Sequence, residues 1–460
     1  MSDYYVSQKG RDDFAGTIDR PWKTIQFAIG QVKPSDIIYI RSGVYSESIS
    51  FGQISGVKDG PITLAAYEKE TVVINGSEGP ALINKNDAAW WIIEGITLGS
   101  QAELTIDLGE WNNHATTYWT LRNNRIFGTL SLFGSYNTVE GNEIGGSGAG
   151  TGIREWTDAC HHNRYLNNVI HGCSERAIWS MFFTHDSLFE GNHIYDCAAQ
   201  GIDLDGYTTC VYRHVVRGNH IHDVGQNGVA LENAYATTVE NNTIHDSAKW
   251  GIAVINYGGD VGEVGHEFEC RSDPSNSYGD TDGDNDCRGN LTGNIIRKNL
   301  IYNMNYIGGI CIWYAGGVSV LGNTIAHVRN GAGINVTDRC PGVIFRDNAI
   351  SDCDWGPIKA LEDVTMEPDS LPRGISRVAA WKSRLGTTVL LDIGGRSLQL
   401  TREELDTYST GGQISAALLD KAVLADVSLP DDVSLHINRD GSIAVATGLE
   451  PQIWPEDTRG

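Results

Sequence analysis

The sequence predicts an all-β fold, a parallel β-solenoid with an N-terminal capping helix and a small C-terminal domain. Two short markers repeat in phase about every 24 residues. The first is Asn, one residue, then Ile, and it begins at Asn124, Asn142, Asn168, Asn192, Asn219, Asn242, Asn299, Asn323 and Asn348. The second is Gly or Ala followed by a branched apolar residue, at Gly152, Ala177, Gly201, Gly228, Gly251, Gly309 and Gly333. A unit of this length holds short alternating strands between Asn and Gly turns but no helix of about ten residues, which excludes helical repeats.

The asparagine marker predicts an internal ladder. One Asn at a fixed place in every coil is typical of stacked side-chain amides that satisfy the backbone of a tight turn. The spacing between Asn242 and Asn299 is irregular and fits either two coils or one coil with a long insertion. We predict the insertion, at about residues 257–293.

The N-terminal segment, residues 1–50, supplies a cap for the solenoid of residues 51–360. An uncapped end would offer unpaired strand edges to neighbouring molecules. In PWKTIQFAIGQV a helix places five apolar side chains on one face: Trp22, Ile25, Ala28, Ile29 and Val32.

The repeat markers stop after about residue 361. A Pro-containing linker follows, and residues 373–460 alternate short strands with a helix that begins at TREEL, where Thr401 and Glu404 form a capping box. This small domain could bind carbohydrate, cap the solenoid or oligomerise.

Composition narrows the class of partner. The chain has 58 acidic against 34 basic residues and a net charge of −24, which disfavours nucleic acid and anionic lipid. No run of about 18 apolar residues occurs, so we expect no membrane insertion. The start MSDYYVSQKG lacks a signal-peptide pattern. We therefore expect a secreted or cell-surface protein whose signal is either of another kind or absent from this sequence, and the oligomeric state stays open.

The opening segment resembles a known family. YYVSQKGRDDFAGTIDRPWKTIQFAI followed by DIIYIRSGVYSESI is similar to the N-terminal module of right-handed parallel β-helix proteins of the pectate-lyase-like superfamily, and the resemblance covers residues 3–360. It implies a right-handed solenoid and a carbohydrate-active protein. The superfamily includes glycoside hydrolases, polysaccharide lyases, uronan epimerases and phage adhesins, so it selects no reaction.

Three acidic residues form the predicted catalytic centre. In GIDLDG, strand alternation turns Ile202 and Leu204 inward and Asp203 and Asp205 outward, to solvent. With the coils aligned by the Gly marker, Glu232 lies one rung, about 4.8 Å, from Asp205. Like charges at this spacing raise one pKa, which gives the acid and its ionised partner that glycosidic cleavage needs. The alternatives are a cation site or a solvated acidic face.

A substrate-binding surface is predicted on the same outward face. Trp156, Trp179 and Trp313 form an exposed row that suits the apolar faces of sugars, unless they pack beneath loops. Further candidate substrate-binding residues are Arg154, His185, Tyr207, Asn233 and Asn256, and Lys249 or Arg154 could serve as the base of a lyase.

Two other groups of side chains are interpreted as structural. The residues three places after the repeat Asn include His171, Tyr195, His222, His245 and Tyr302, and we interpret them as an aromatic stack on a different face, not as metal ligands. The insertion carries Asp280, Asp282, Asp284 and Asp286 around Gly283, which predicts a structural calcium loop or an ordinary solvated acidic loop. Cys270 and Cys287 flank this loop as a disulfide or as two free thiols.

The leading hypothesis is an enzyme, a glycoside hydrolase that degrades a polysaccharide with Asp203, Asp205 and Glu232 and needs no cofactor for catalysis. A second is a calcium-dependent lyase or epimerase acting on a uronic-acid polymer, in which the same carboxylates hold calcium. A third is a non-catalytic polysaccharide-binding adhesin or phage tail protein.

Overall fold

A computed structural model describes residues 1–110, 115–146, 149–206, 209–256, 292–305, 307–337, 340 and 342–360, together with the backbone of five strands after residue 374. The candidate calcium loop at Asp280, the cysteines Cys270 and Cys287, and the C-terminal helix at Glu404 lie outside the described residues, as does Tyr207. Of the described helices, none is long and apolar enough to cross a membrane.

The chain folds as an all-β, right-handed parallel solenoid of about 11 turns, as the sequence predicts. Each turn contributes strands to three parallel sheets, because Asn and Gly turns interrupt the chain every few residues. The first sheet has 13 strands: Asp3–Val6, Ile37–Ile40, Ile62–Ala66, Trp91–Glu94, Thr120–Arg122, Thr138–Glu140, Arg164–Leu166, Leu188–Glu190, Val215–Arg217, Thr238–Glu240, Ile295–Arg297, Ser319–Leu321 and Ile344–Arg346.

The second sheet contains Gly43–Ser46, Val72–Gly76, Thr97–Leu108, Arg125–Leu132, Glu143–Gly145, Val169–His171, His193–Cys197, His220–Val224, Thr243–His245, Leu300–Met304, Thr324–Val328 and Ala349–Cys353. The third sheet contains Ile49–Ser50, Leu82–Asn84, Ile153–Trp156, Ile178–Met181, Ile202–Asp205, Val229–Glu232, Trp250–Ile255, Ile307–Trp313, Gly331–Val336 and Ile358–Ala360. The long strands Thr97–Leu108 and Arg125–Leu132 bend from the second sheet into the third and pair in both.

The remaining elements are short or lie at the ends. Thr24 caps the helix Ile25–Ile29, whose Ile25, Ala28 and Ile29 are buried in the core together with Trp22 and Val32. A 3-10 turn spans Tyr67–Lys69, and Val211–Tyr212 pairs with Ala234–Tyr235. The C-terminal strands are antiparallel, in two groups: Ile375–Ser383, Gly386–Ile393 and Arg396–Thr401, then Val433–Ile437 and Ile443–Thr447.

The predicted asparagine ladder is confirmed. Asn168 Nδ2 donates to Asn192 Oδ1 at 3.0 Å and to the carbonyl of Val139 at 2.8 Å, and its backbone N–H donates to the same Asn192 oxygen at 3.0 Å. Asn242 bonds Asn299 in the same way, with 2.9 Å between Nδ2 and Oδ1. Asn242 and Asn299 are therefore neighbours in the ladder, one coil apart, which agrees with the predicted insertion. A second ladder, which the marker did not reveal, includes Asn137 and Asn163.

Candidate functional site

The third sheet brings the three predicted acidic residues together. Strand Ile202–Asp205 lies between Ile178–Met181 and Val229–Glu232, with Asp205 directly opposite Glu232 and Asp203 opposite Ala230. This register agrees with the alignment of the coils by their Gly markers. The carboxylates of Asp205 and Glu232 are thus attached to backbone positions one rung, about 4.8 Å, apart.

The prediction that both aspartates face solvent is wrong. Ile202 and Leu204 belong to the core, so the aspartates do point away from it, yet Asp203 is 0% and Asp205 5% exposed. Two side chains from the preceding coil cover them. Arg176 Nε donates to Asp203 Oδ2 at 2.5 Å, and Trp179 Nε1 donates to Asp205 Oδ2 at 3.2 Å.

Burial changes the chemistry of Asp203. Loss of solvent, followed by the negative charges of Glu232 and Asp205, raises the pKa of Asp203 well above its usual range, and the guanidinium of Arg176 opposes that rise. Its second oxygen, Oδ1, is buried without a hydrogen-bond partner among the described residues. A carboxyl group in this state either retains a proton or awaits a cation.

A cleft of about 500 Å³ opens beside the buried aspartates. Glu232 contributes the carboxylate of its lining, and Arg176 and Lys249 contribute a guanidinium and an amine. Lys249 Nζ donates to Gln226 Oε1 at 3.2 Å, which holds the amine at the rim. The other lining residues are Gln200, Asn227, Trp250, Ile255, Cys311, Trp313, Asn335 and Thr337. Cations and amides of this kind suit an anionic, hydroxyl-rich ligand.

Sequence reasoning missed Arg176 and most of the amides. Their signal was nevertheless present, because Arg176, Gln200 and Asn227 each stand one place before the Gly or Ala marker of consecutive coils, and all three line the cleft. The alignment considered only positions after the marker. A search on both sides of it would have found this polar column.

The tryptophan row is present, but all three side chains are half-buried, so it is not the fully exposed row that the sequence predicts. Trp156 packs against Trp179, with ring centroids 6.1 Å apart. Arg176 covers the ring of Trp179, 4.2 Å from its centroid. Trp313 does line the cleft. Arg154 lies two coils before the strand that carries Asp203 and Asp205. In its own coil it forms an ion pair with Glu103 at 3.1 Å.

Three other predicted substrate-binding residues are buried, which corrects their assignment. His185 is 3% exposed because its ring stacks between His161 and Tyr212, at 4.9 and 4.8 Å, in a ladder at a turn. Asn233 and Asn256 are each 2% exposed. Their place at turns after the outward column led to the interpretation, which took no account of the burial of these side chains.

A second buried carboxyl group lies on the opposite, inward side of the third sheet. Glu155 Oε2 accepts hydrogen bonds from Tyr165 Oη at 2.6 Å and Asn163 Nδ2 at 3.0 Å, and its Oε1 accepts one from Ser180 Oγ at 2.7 Å. Burial raises the pKa of Glu155. Since its oxygens are satisfied within the core, Glu155 has a structural role.

Comparisons with known proteins match parts of the chain to two described families. Residues 4–208 match the family described as Pel9A-like, right-handed beta helix region, and residues 156–261 match that described as periplasmic copper-binding protein (NosD). The pectate lyase PEL9 of Emericella nidulans is 43% identical over 90 residues, 19% of this chain and 22% of that protein. The uncharacterized protein YwoF of Bacillus subtilis is 31% identical over 134 residues, 27% of this chain and 28% of that protein.

A solved structure supports the fold. The A-module of the mannuronan C-5 epimerase AlgE4 from Azotobacter vinelandii matches with a TM-score of 0.55 and 16% identity, over 78% of this chain and 99% of that module. At this identity the likeness shows a shared fold alone. The chain spans about a quarter of the length of the curated relatives it matches.

Proposed function

We propose that this chain, a right-handed parallel β-helix protein of the pectate-lyase-like superfamily, is a polysaccharide lyase that acts on a uronic-acid polymer. The observation that carries the proposal is the cleft, in which Arg176 and Lys249 face a substrate together with the single carboxylate of Glu232. The Arg176 guanidinium suits the carboxylate of a uronic-acid unit, and Lys249 lies in the same cleft as a candidate base. The curated pectate lyase relative favours the same reaction class.

The buried state of the aspartates argues against the hydrolase. A glycosidase places two carboxyl groups on either side of the scissile bond, both within reach of the sugar. Asp203 and Asp205 are 0% and 5% exposed, so among the described residues they leave Glu232 without a second reachable carboxylate in the cleft.

Each cleft residue has a role in β-elimination. Arg176 pairs with the uronate carboxylate and withdraws charge, which acidifies the hydrogen on the adjacent C5. Lys249 is the candidate base that accepts that proton. The C5–H electron pair becomes the C4–C5 double bond, the C4–O bond of the glycosidic link breaks, and the departing oxygen takes up a proton from water. Asp203 holds Arg176 in place from beneath through the ion pair described above.

The acidic residues also fit a calcium ion. The unpartnered Oδ1 of Asp203 and the adjacent carboxylates of Asp205 and Glu232 are oxygen donors of the kind that calcium prefers. A bound Ca²⁺ would neutralise the substrate carboxylate and so make C5 more acidic. The aspartates at 280–286 remain a separate proposed calcium loop, and we propose that the enzyme acts outside the cytoplasm, where such polymers are found.

The test is an assay of purified protein on polygalacturonate and alginate, with calcium and with EDTA. A lyase creates unsaturated ends that absorb ultraviolet light in step with new reducing ends. We expect Lys249→Met and Arg176→Gln to abolish both signals, whereas Lys58→Met, at an exposed lysine on a distant coil, leaves them intact.

Other outcomes would overturn the proposal. Reducing ends without unsaturation would indicate a hydrolase. Inversion at C5 without chain cleavage, detected by proton NMR, would indicate an epimerase. Binding to the polymer with no chemical change would indicate an adhesin. Full lyase activity in Lys249→Met would refute the assignment of the base while leaving the reaction class in place.

A further inference from the structure

A cluster of four histidines lies on the second sheet, away from the cleft of the third sheet. His193 and His220 stand opposite each other in consecutive coils, and His222 and His245 do the same two residues further along their strands. Residues two apart on a strand point to the same side, so all four imidazoles share the outer face. Sequence analysis recognised only the column of His222 and His245.

The ring nitrogens of the two columns meet across the coils. His193 Nε2 lies 2.9 Å from His222 Nε2, and His220 Nε2 lies 2.9 Å from His245 Nε2. Ligand atoms of His193, His220 and His222 all lie within 4.8 Å of one another. Three imidazoles at this separation can contact one metal ion with small side-chain adjustments.

Two aspartates hold the rings in the required orientation. Asp223 Oδ2 lies 2.7 Å from Nδ1 of His222, and Asp246 Oδ2 lies 2.7 Å from Nδ1 of His245. A carboxylate that accepts a hydrogen bond from Nδ1 fixes the tautomer in which Nε2 carries a free lone pair. This is the outer layer of contacts that commonly supports a histidine bound to metal.

We propose that His193, His220 and His222, with His245 at the edge, bind one first-row divalent transition-metal ion, and that the ion links consecutive coils of the solenoid. Imidazole nitrogens are ligands for copper, nickel and zinc, while calcium and magnesium prefer oxygen. The site is therefore chemically distinct from the carboxylate cluster under the cleft.

The nitrogen separation is short enough for two imidazoles to share one ion. Two nitrogens each about 2.0 Å from a metal are about 2.8 Å apart at a right angle and about 3.3 Å apart at a tetrahedral angle, and the two observed separations of 2.9 Å lie between these values. Copper is expected to bind tightest on the general affinity order of these ions.

The experiment uses full-length, tag-free protein stripped with EDTA, dialysed, and titrated with Cu²⁺, Ni²⁺ and Zn²⁺ by calorimetry. We expect a saturable component of metal binding that is lost in the variants of the histidine cluster. Metal should also raise the melting temperature, and the electron paramagnetic resonance spectrum of the copper form should show nitrogen hyperfine splitting. His222→Phe keeps a ring in the stack between Tyr195 and His245, at 5.4 and 4.9 Å, and should remove this component. Asp223→Asn should weaken it about 10- to 100-fold.

Matched controls separate this cluster from other histidines. His327→Phe changes a histidine that is 43% exposed and paired with Asp352, and His162→Gln disrupts a second grouping with His185 and Asp186. Both variants should bind copper at the cluster like the parent protein. The proposal fails if no saturable binding is seen, if folded His222→Phe binds as the parent does, or if His162→Gln alone removes the component.

Discussion

The ion pair between Arg176 and Asp203 offers the sharpest test of the site. Arg176→Gln would leave the Asp203 carboxylate, 0% exposed, without its cation while Glu232 and Asp205 still repel it. Removing one partner of a fully buried pair costs about 3–5 kcal/mol. Because the Arg176 side chain is itself 25% exposed and the buried Asp203 carboxyl can take up a proton when its cation is removed, we expect a loss below this range, about 2 kcal/mol of unfolding free energy.

Asp203→Asn should reverse much of the loss caused by Arg176→Gln. It removes the buried charge, so that Arg176→Gln in the Asp203→Asn background leaves no carboxylate without a cation. We expect the double variant to be more stable than Arg176→Gln alone, with a coupling of about 2 kcal/mol between the two sites. Asp203→Asn by itself should change stability little, since Arg176 reaches solvent.

The assay is urea unfolding of the four proteins at neutral pH in EDTA, so that no divalent cation takes the place of the arginine. Midpoints are compared only where the dependence of free energy on urea is unchanged. Additive effects, within about 0.5 kcal/mol, would refute the inference that Arg176 stabilises a buried charge. They would also remove the reason for treating Asp203 as the support of Arg176 in the cleft.

Two further predictions concern protonation and the ladder. The pKa of Asp203 is raised in the folded protein. The contribution of its protonated form to stability is therefore fully present below the unfolded-state pKa of about 3.9 and is lost as the pH rises through the folded-state pKa. Urea unfolding in EDTA should show this loss in the parent protein and not in Asp203→Asn. Asn192→Ala removes the hydrogen bonds that the side-chain amide donates to Asn219 Oδ1 and to the Tyr165 carbonyl, both 2.9 Å. This change should lower the free energy of unfolding by about 3 kcal/mol. The control Gln53→Ala, at an exposed turn, should change it by no more than about 0.5 kcal/mol. An equal shift of melting temperature in both variants would contradict the ladder's role.

The fold could be predicted from the sequence because solenoid register is a local property. Each coil repeats the same contacts with its neighbours, so the spacing of Asn168, Asn192 and Asn219 already states which residues stack. The facing of Asp205 and Glu232 follows from the same count. The prediction of which residues stack therefore needs only the sequence of neighbouring coils.

The exposure of the site could not be predicted in the same way. Strand alternation distinguishes the inside of the solenoid from its outside, but it does not say whether an outward side chain is covered by its neighbours. Asp203 is covered because Arg176, in the preceding coil, is long enough to reach over it. That depends on the length and rotamer of a side chain in the neighbouring coil, which strand alternation does not reveal.

The burial of Asp203 and Asp205 also distinguishes between two interpretations of the acidic residues, as direct catalysts or as supports for other groups. Exposed carboxylates would act on a sugar directly, whereas buried ones act on other groups, by orienting a cation or by binding one. Asp203 holds Arg176, and Trp179 holds Asp205 beside Glu232. The acidic centre found from the sequence is therefore best understood as the support for the Arg176 guanidinium, which explains how a chain of net charge −24 can present positive charge to the polyanionic substrate that we propose.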